Sequence, residues 1–180
     1  MALLSVVEAL ERVLGQAAPL PSEDALLSEA YGRILTRDLA ALRTQPPANV
    51  SAMDGYAVRA TDVTHASVRL KVIGEVAAGR PFTEAVGTDQ AARIFTGGVV
   101  PPGADTVVIQ EFTKRNGDWV EIQGPTARGR HIRMQGLDFK EGDALLSAGR
   151  TLTARDVALA AAMNHPRVPV YRRTPQTKKP

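Results

Sequence analysis

Two short stretches hold the side chains best suited to chemistry. The first is Ser51-Ala52-Met53-Asp54-Gly55-Tyr56-Ala57-Val58-Arg59. The second runs from Arg93-Ile94-Phe95-Thr96-Gly97-Gly98 through Pro101-Pro102-Gly103-Ala104-Asp105 to Glu111. An Asp before a Gly is most often a turn or a cap. A loop carboxylate can also orient water, relay a proton or help hold a magnesium ion. Ser51 can donate to a phosphate or close the local turn, and Gly55 can let the backbone approach a ligand or take a positive φ. Thr96-Gly97-Gly98 is a small loop after a strand, and its main-chain amides could cradle an anion. Tyr56 reads as packing, Pro101-Pro102-Gly103 as a rigid turn behind the loop, and Asp105 and Glu111 as solvated charges flanking a strand.

The other polar groups are less distinctive. Arg128, Arg130 and Arg133 form a basic cluster able to meet an anionic group, with Arg133 the binding candidate among them. The ordinary reading of such a run is a solvated loop. Arg33, Arg37 and Arg43 read as a helix face and its exit. His65, His131 and His165 lack the i, i+4 spacing of a helical metal site and read as surface or structural residues.

Composition narrows the function classes. The chain has 180 residues with 22 basic and 19 acidic side chains, a net charge of +3. That length allows one domain or two small ones. It has no cysteine, which excludes a disulfide scaffold, a thiolate nucleophile and an iron–sulfur cluster. With one Trp, three Tyr and four Phe, it offers few stacking platforms for nucleic acid. No apolar run is long enough to span a membrane, and no basic segment precedes the first apolar residues as in a signal peptide. The expectation is a soluble, cytoplasmic globular protein, without nucleic acid or membrane as partner.

The elements that must position these residues follow from pattern. Ser5 and Glu8 form a capping box. Val6, Val7, Leu10, Val13 and Leu14 then recur at helical spacing, with Gly15 as a left-handed stop. Ala25–Leu27 reads as a strand, and Ser28 caps a second helix over 29–38, with Gly32 inside it. From about Gln45 the texture turns to short β-rich runs. Val68, Leu70 and Val72 alternate with Arg69 and Lys71, and 93–95 and 106–110 are further strands. Asn116-Gly117 predicts a type I′ hairpin, and Gly142-Asp143 a second. Thr153 caps a helix through Met163, stopped by Asn164. Arg167–Tyr171 is a strand, and 174–180 is disordered. The predicted class is α+β: an elongated mixed lobe from 1–45 and 141–173, with a small β-barrel inserted at 46–140.

The two stretches together resemble the molybdopterin molybdenumtransferases, the MoeA family that includes the E domain of gephyrin. The Ser51-to-Val58 run and the Thr96-Gly97…Pro102-Gly103-Ala104-Asp105 run carry the resemblance. Tyr31-Gly32-Arg33-Ile34-Leu35 upstream and Gly142-Asp143 with Leu145, Leu146 and Gly149 downstream fit it. It extends from Ser5 to Arg173, the family's first two domains. Three positions depart from the usual pattern: Ala48-Asn49-Val50, Arg133-Met134-Gln135-Gly136-Leu137-Asp138, and Asn164 in place of Gly.

The resemblance implies insertion of molybdate into adenylylated molybdopterin, with magnesium assisting release of AMP. It implies Asp54 and Thr96 as catalytic residues, and Ser51, Gly55, Gly97, Gly98 and Arg133 as substrate contacts. It also implies a homodimer, with the cleft shared between one subunit's barrel and the other's third domain. A third domain carries most pterin, molybdate and magnesium contacts in the family, so a chain of the first two is expected to be inactive alone. The alternative is a non-catalytic interaction or dimerisation module of the same ancestry.

Overall fold

A computed structural model describes residues 4–15, 17–65, 67–80 and 82–173. The segment 174–180, expected to be disordered, lies outside them. Among the described residues there are two α-helices and twelve short strands. In chain order these are α1 (Val6–Leu14), β1 (Ser22–Leu26), β2 (Leu39–Ala40), β3 (Val50–Ser51), β4 (Gly55–Val58), β5 (Val68–Val76) and β6 (Gln90–Ile94). They continue with β7 (Thr106–Ile109), β8 (Thr113–Asn116), β9 (Trp119–Ile122), β10 (Ile132–Arg133), β11 (Ala144–Leu146), α2 (Ala154–Ala162) and β12 (Arg167–Tyr171). The chain divides into two compact units, one from both ends (up to Leu42 and from Gly142) and one from Arg43 to Glu141.

In the unit built from both ends, β1 pairs antiparallel with β12, Ser22 opposite Tyr171. Leu35, Leu152, Met163, Val168 and Val170 are buried. Both helices start on a capping box: Ser5 with Glu8, and Thr153 with Asp156. They differ in what they bury. α2 buries Asp156 and Ala160, whereas α1 buries none of its side chains. Val6, Val7, Leu10, Val13 and Leu14 are all exposed.

The helix expected over 29–38 does not form. A single 3-10 turn, Leu27–Glu29, is followed by Gly32 at φ 72°, which no right-handed helix contains. Beyond it the chain runs extended: Leu152 N donates to Arg33 O, and Leu35 bridges Val170. The apolar residues at 30, 34 and 35 fit helical spacing by accident: Ala30 is buried at the end of the 3-10 turn and Leu35 on the extended segment, while Ile34 is exposed. Arg33 is therefore not on a helix face. It is buried, with its guanidinium on Glu23 at 2.5 Å and on the Tyr171 carbonyl at 2.7 Å.

In the Arg43–Glu141 unit, six strands form one mixed sheet in the order β7-β4-β6-β5-β9-β8. β4 lies between β6 and β7, antiparallel to both, while β5 and β6 are parallel. Side chains alternate across a strand, and here both faces are covered. Tyr56, Val58, Ala91 and Val108 pack in one cluster with Leu70 and Val120. Ala57, Ala92, Ile94 and Val107 pack in another with Val76 and Val86. Beside the sheet, β3 pairs with β10, and Val50 bridges Val99.

Three turn expectations are corrected. The β8–β9 hairpin has Asn116 opposite Trp119, so its two-residue loop is Gly117-Asp118. Only Gly117 has positive φ, 59°, the pattern of a type II′ turn rather than I′. Gly142-Asp143 does not close a local hairpin, since β11 pairs with the distant β2. Gly15 ends α1 at φ −65°, right-handed rather than left-handed, whereas Asn164 takes the expected left-handed φ of 72°.

Candidate functional site

Asp54 and Thr96, one from each stretch, meet at one end of β4 and β6. β4 begins at Gly55 and β6 ends at Ile94, and the two pair with each other. Asp54 therefore precedes one strand just where Phe95-Thr96 leaves the other. Asp54 Oδ1 accepts both the Thr96 amide and the Thr96 hydroxyl, each at 2.8 Å. Two loops 42 positions apart thus share one carboxylate oxygen. The main-chain bond from Thr96, then its hydroxyl bond, hold the Asp54 carboxyl below the usual carboxylate range, and the nearby charge of Arg93 adds to this.

The loop amides are all committed. Thr96 N goes to Asp54, Gly97 N to the Ser51 carbonyl at 2.9 Å, and Gly98 N to the Phe95 carbonyl at 2.8 Å. The anion cradle expected of Thr96-Gly97-Gly98 is not formed by these three donors. They serve to lock the loop onto β3 and Asp54. Gly97 sits at φ 81°, and a Cβ on Gly98 would press on the Phe95 and Val76 carbonyls at 2.9 and 3.0 Å.

Ser51 closes the local turn. It is buried, its hydroxyl donates to the Met53 carbonyl at 2.6 Å, and it accepts from Met53 N at 3.3 Å. Of the two reasons expected for Gly55, positive φ does not hold. What approaches it is protein: a Cβ there would strike the Val108 carbonyl of β7. Arg133 is not brought into this contact. Its guanidinium meets both Asp138 oxygens at 2.8 Å. Arg128 pairs with Asp105 at 3.2 Å, and Asp105 also accepts from Ala60 N at 2.7 Å, so Asp105 is an anchor rather than a free charge. Glu111 is exposed. Among the described residues no group of three or more acidic, His or Cys side chains is placed to hold a metal ion.

Sequence reasoning missed two residues of this end of the sheet. Arg93 donates to the Gly55 carbonyl at 3.0 Å and to Gln110 Oε1 at 2.9 Å. Gln110 N in turn donates to the Asp54 carbonyl at 3.0 Å. The available signal was strand alternation, which places Arg93 on the same face as Ala91 and opposite Tyr56.

Residues 4–164 match the family described as MoeA N-terminal region (domain I and II). A molybdopterin molybdenumtransferase of Synechococcus elongatus is 38% identical over 96% of this chain, and one of Staphylococcus aureus is 31% identical over 94%. The chain spans less than half of either, 45% and 41%. A crystal structure of the molybdopterin biosynthesis moeA protein from Pyrococcus horikoshii superposes with a TM-score of 0.86 at 37% identity, covering 94% of this chain and 46% of that one.

Proposed function

The chain belongs to the MoeA N-terminal-region family, and from that premise we propose that it is the N-terminal part of a transferase of molybdenum cofactor biosynthesis. The relatives' name supports a role in that biosynthesis. The reaction we infer is insertion of molybdate into adenylylated molybdopterin with release of AMP. One observation carries the reading: an anionic carboxylate, Asp54, is clasped by both donors of Thr96, where the two family stretches meet.

The geometry suits Asp54 to particular work. It enters the reaction ionised, because its partners favour the charged form. It can therefore accept a proton or orient a water against a phosphoanhydride, rather than act as an acid. Oδ1 is taken by Thr96, which leaves Oδ2 to face the incoming group. Thr96 acts by holding the carboxylate, with Ser51, Gly97 and Gly98 fixing the loop around it. A bound magnesium would supply charge neutralisation at the phosphate oxygens. The donor set here fits such an ion only through Asp54, with water and substrate completing its shell.

The Arg43–Glu141 unit is read as a small β-barrel inserted into a mixed α/β lobe, an α+β arrangement, and the working assembly as a cytoplasmic homodimer. No helix among the described residues is long and apolar enough to cross a membrane. A second reading, a non-catalytic interaction module, draws support from the exposed apolar side chains of α1. The two are separated in a full-length relative by replacing the Asp that corresponds to Asp54 with Asn. The enzyme reading expects turnover, followed as AMP release, to fall at least about tenfold in a protein that still folds. Full turnover in that variant removes the catalytic role of Asp54 and with it the observation that favours the enzyme reading over the module.

A further inference from the structure

Arg93 is a side chain that the proposed chemistry does not use, yet its placement is unusually constrained. It lies on β6 directly opposite Tyr56 of β4 and is only half-buried. Its guanidinium stands 4.7 Å from the Phe95 ring centroid and 5.3 Å from that of Tyr56. One terminal nitrogen donates to the Gly55 carbonyl at 3.0 Å, and the other to Gln110 Oε1 at 2.9 Å. A planar, five-donor group with two usable faces can make all four contacts at once, and an ammonium cannot.

What these contacts hold is specific. Gly55 follows Asp54 in sequence, Gln110 N donates to the Asp54 carbonyl, and Phe95 precedes Thr96. One guanidinium thus holds the backbone just after the carboxylate, the residue that donates to the Asp54 carbonyl, and the residue that leads into its partner. We propose that Arg93 is a positioning residue for Asp54, setting the distance and angle at which the carboxylate meets the two Thr96 donors without touching it. The proposal deepens the reading of Asp54 as the reactive group and rests on it for its functional meaning. Its geometric content stands apart from catalysis. The charge of Arg93 also favours the ionised carboxylate, so charge and fork contribute separately and can be separated.

The test uses this chain and needs no turnover. Arg93→Met removes charge and fork, and Arg93→Lys keeps only the charge. The readouts are the Asp54 carboxyl titration by carbon-13 NMR and hydrogen exchange of the Thr96 and Gln110 amides. In Arg93→Met the titration midpoint is expected to rise and the two amides to exchange at least about tenfold faster, with the β4 and β6 ladder amides unchanged. In Arg93→Lys, which keeps the charge, the midpoint is expected to rise less than in Arg93→Met while the two amides still exchange faster. Unchanged titration and exchange in Arg93→Met overturns the proposal, as does uniform loss of protection across the sheet. Should Arg93→Met fail to fold, full retention of Thr96 and Gln110 protection in Arg93→Lys overturns it. Full turnover after Asp→Asn at the corresponding position of the full-length relative would instead remove the reading of Asp54 as the reactive group and leave the geometric positioning by Arg93 intact.

Discussion

At Asp54, one oxygen accepts two bonds from a single residue, and this couples its ionisation to folding. The folded carboxyl lies below its ordinary value, so its bonds stabilise fully above about pH 4 and their contribution is lost as the pH falls through the lowered value. The difference in melting temperature between this chain and Asp54→Asn is therefore expected at about pH 6 and should shrink as the pH falls below about 4. Differential scanning calorimetry across that range checks it. A difference that persists in acid would mean the clasp does not depend on charge. Gly55→Ala tests the other constraint at this scale. The added methyl has no room against the Val108 carbonyl, so overpacking of about 1–3 kcal/mol should appear in urea unfolding, with loss of β4–β7 amide protection.

At the scale of elements, what was legible depended on whether local chemistry alone decides the structure. Ser5/Glu8 and Thr153/Asp156 cap helices because a cap is a contact between neighbours in sequence. β12 was readable over 167–171, where a run of apolar and β-branched residues sits between a Pro and a polar tail. The segment 29–38 was not, since its partners lie more than a hundred positions away and the chain alone cannot reveal them. The same holds at the site. The family runs pointed to Asp54 and Thr96, but nothing local tells that Thr96 spends its donors on a carboxylate 42 positions away. Ile94→Ala probes the strand that brings the two loops together. Ile94 is fully buried, so about 2–5 kcal/mol should be lost, read from urea unfolding. Thr153→Ala should cost about 1 kcal/mol. Its partner Asp156 is held down to about 2 by Arg150 and by both donors of Thr153, so the cost should shrink as the pH falls from about 4 toward 2.

For the whole molecule, the decisive fact is coverage: the matched relatives are more than twice as long as the part matched here. The Asp54–Thr96 contact supplies one carboxylate and no cluster able to hold a metal among the described residues. Incubated with adenylylated molybdopterin, molybdate and magnesium, the isolated chain is expected to release no AMP above background. Release at the rate of an intact relative would overturn this and place the whole machinery within these 180 residues.

The nine-residue α1 sets its own terms. Isolated helices shorter than about 12–15 residues are marginal in water, and this one rests no side chain in a core. Among the described residues the Ser5/Glu8 box is its main support, so it is expected to fray more readily than α2. A protease that needs an extended strand of substrate should find it first. Trypsin is expected to cut after Arg12 before any bond between Arg43 and Glu141, and mass spectrometry of the earliest fragments would show whether it does. Whatever comes to cover Val6, Leu10 and Val13 would then be seen as a delay in that first cut, which makes the rate of nicking a direct gauge of occupancy.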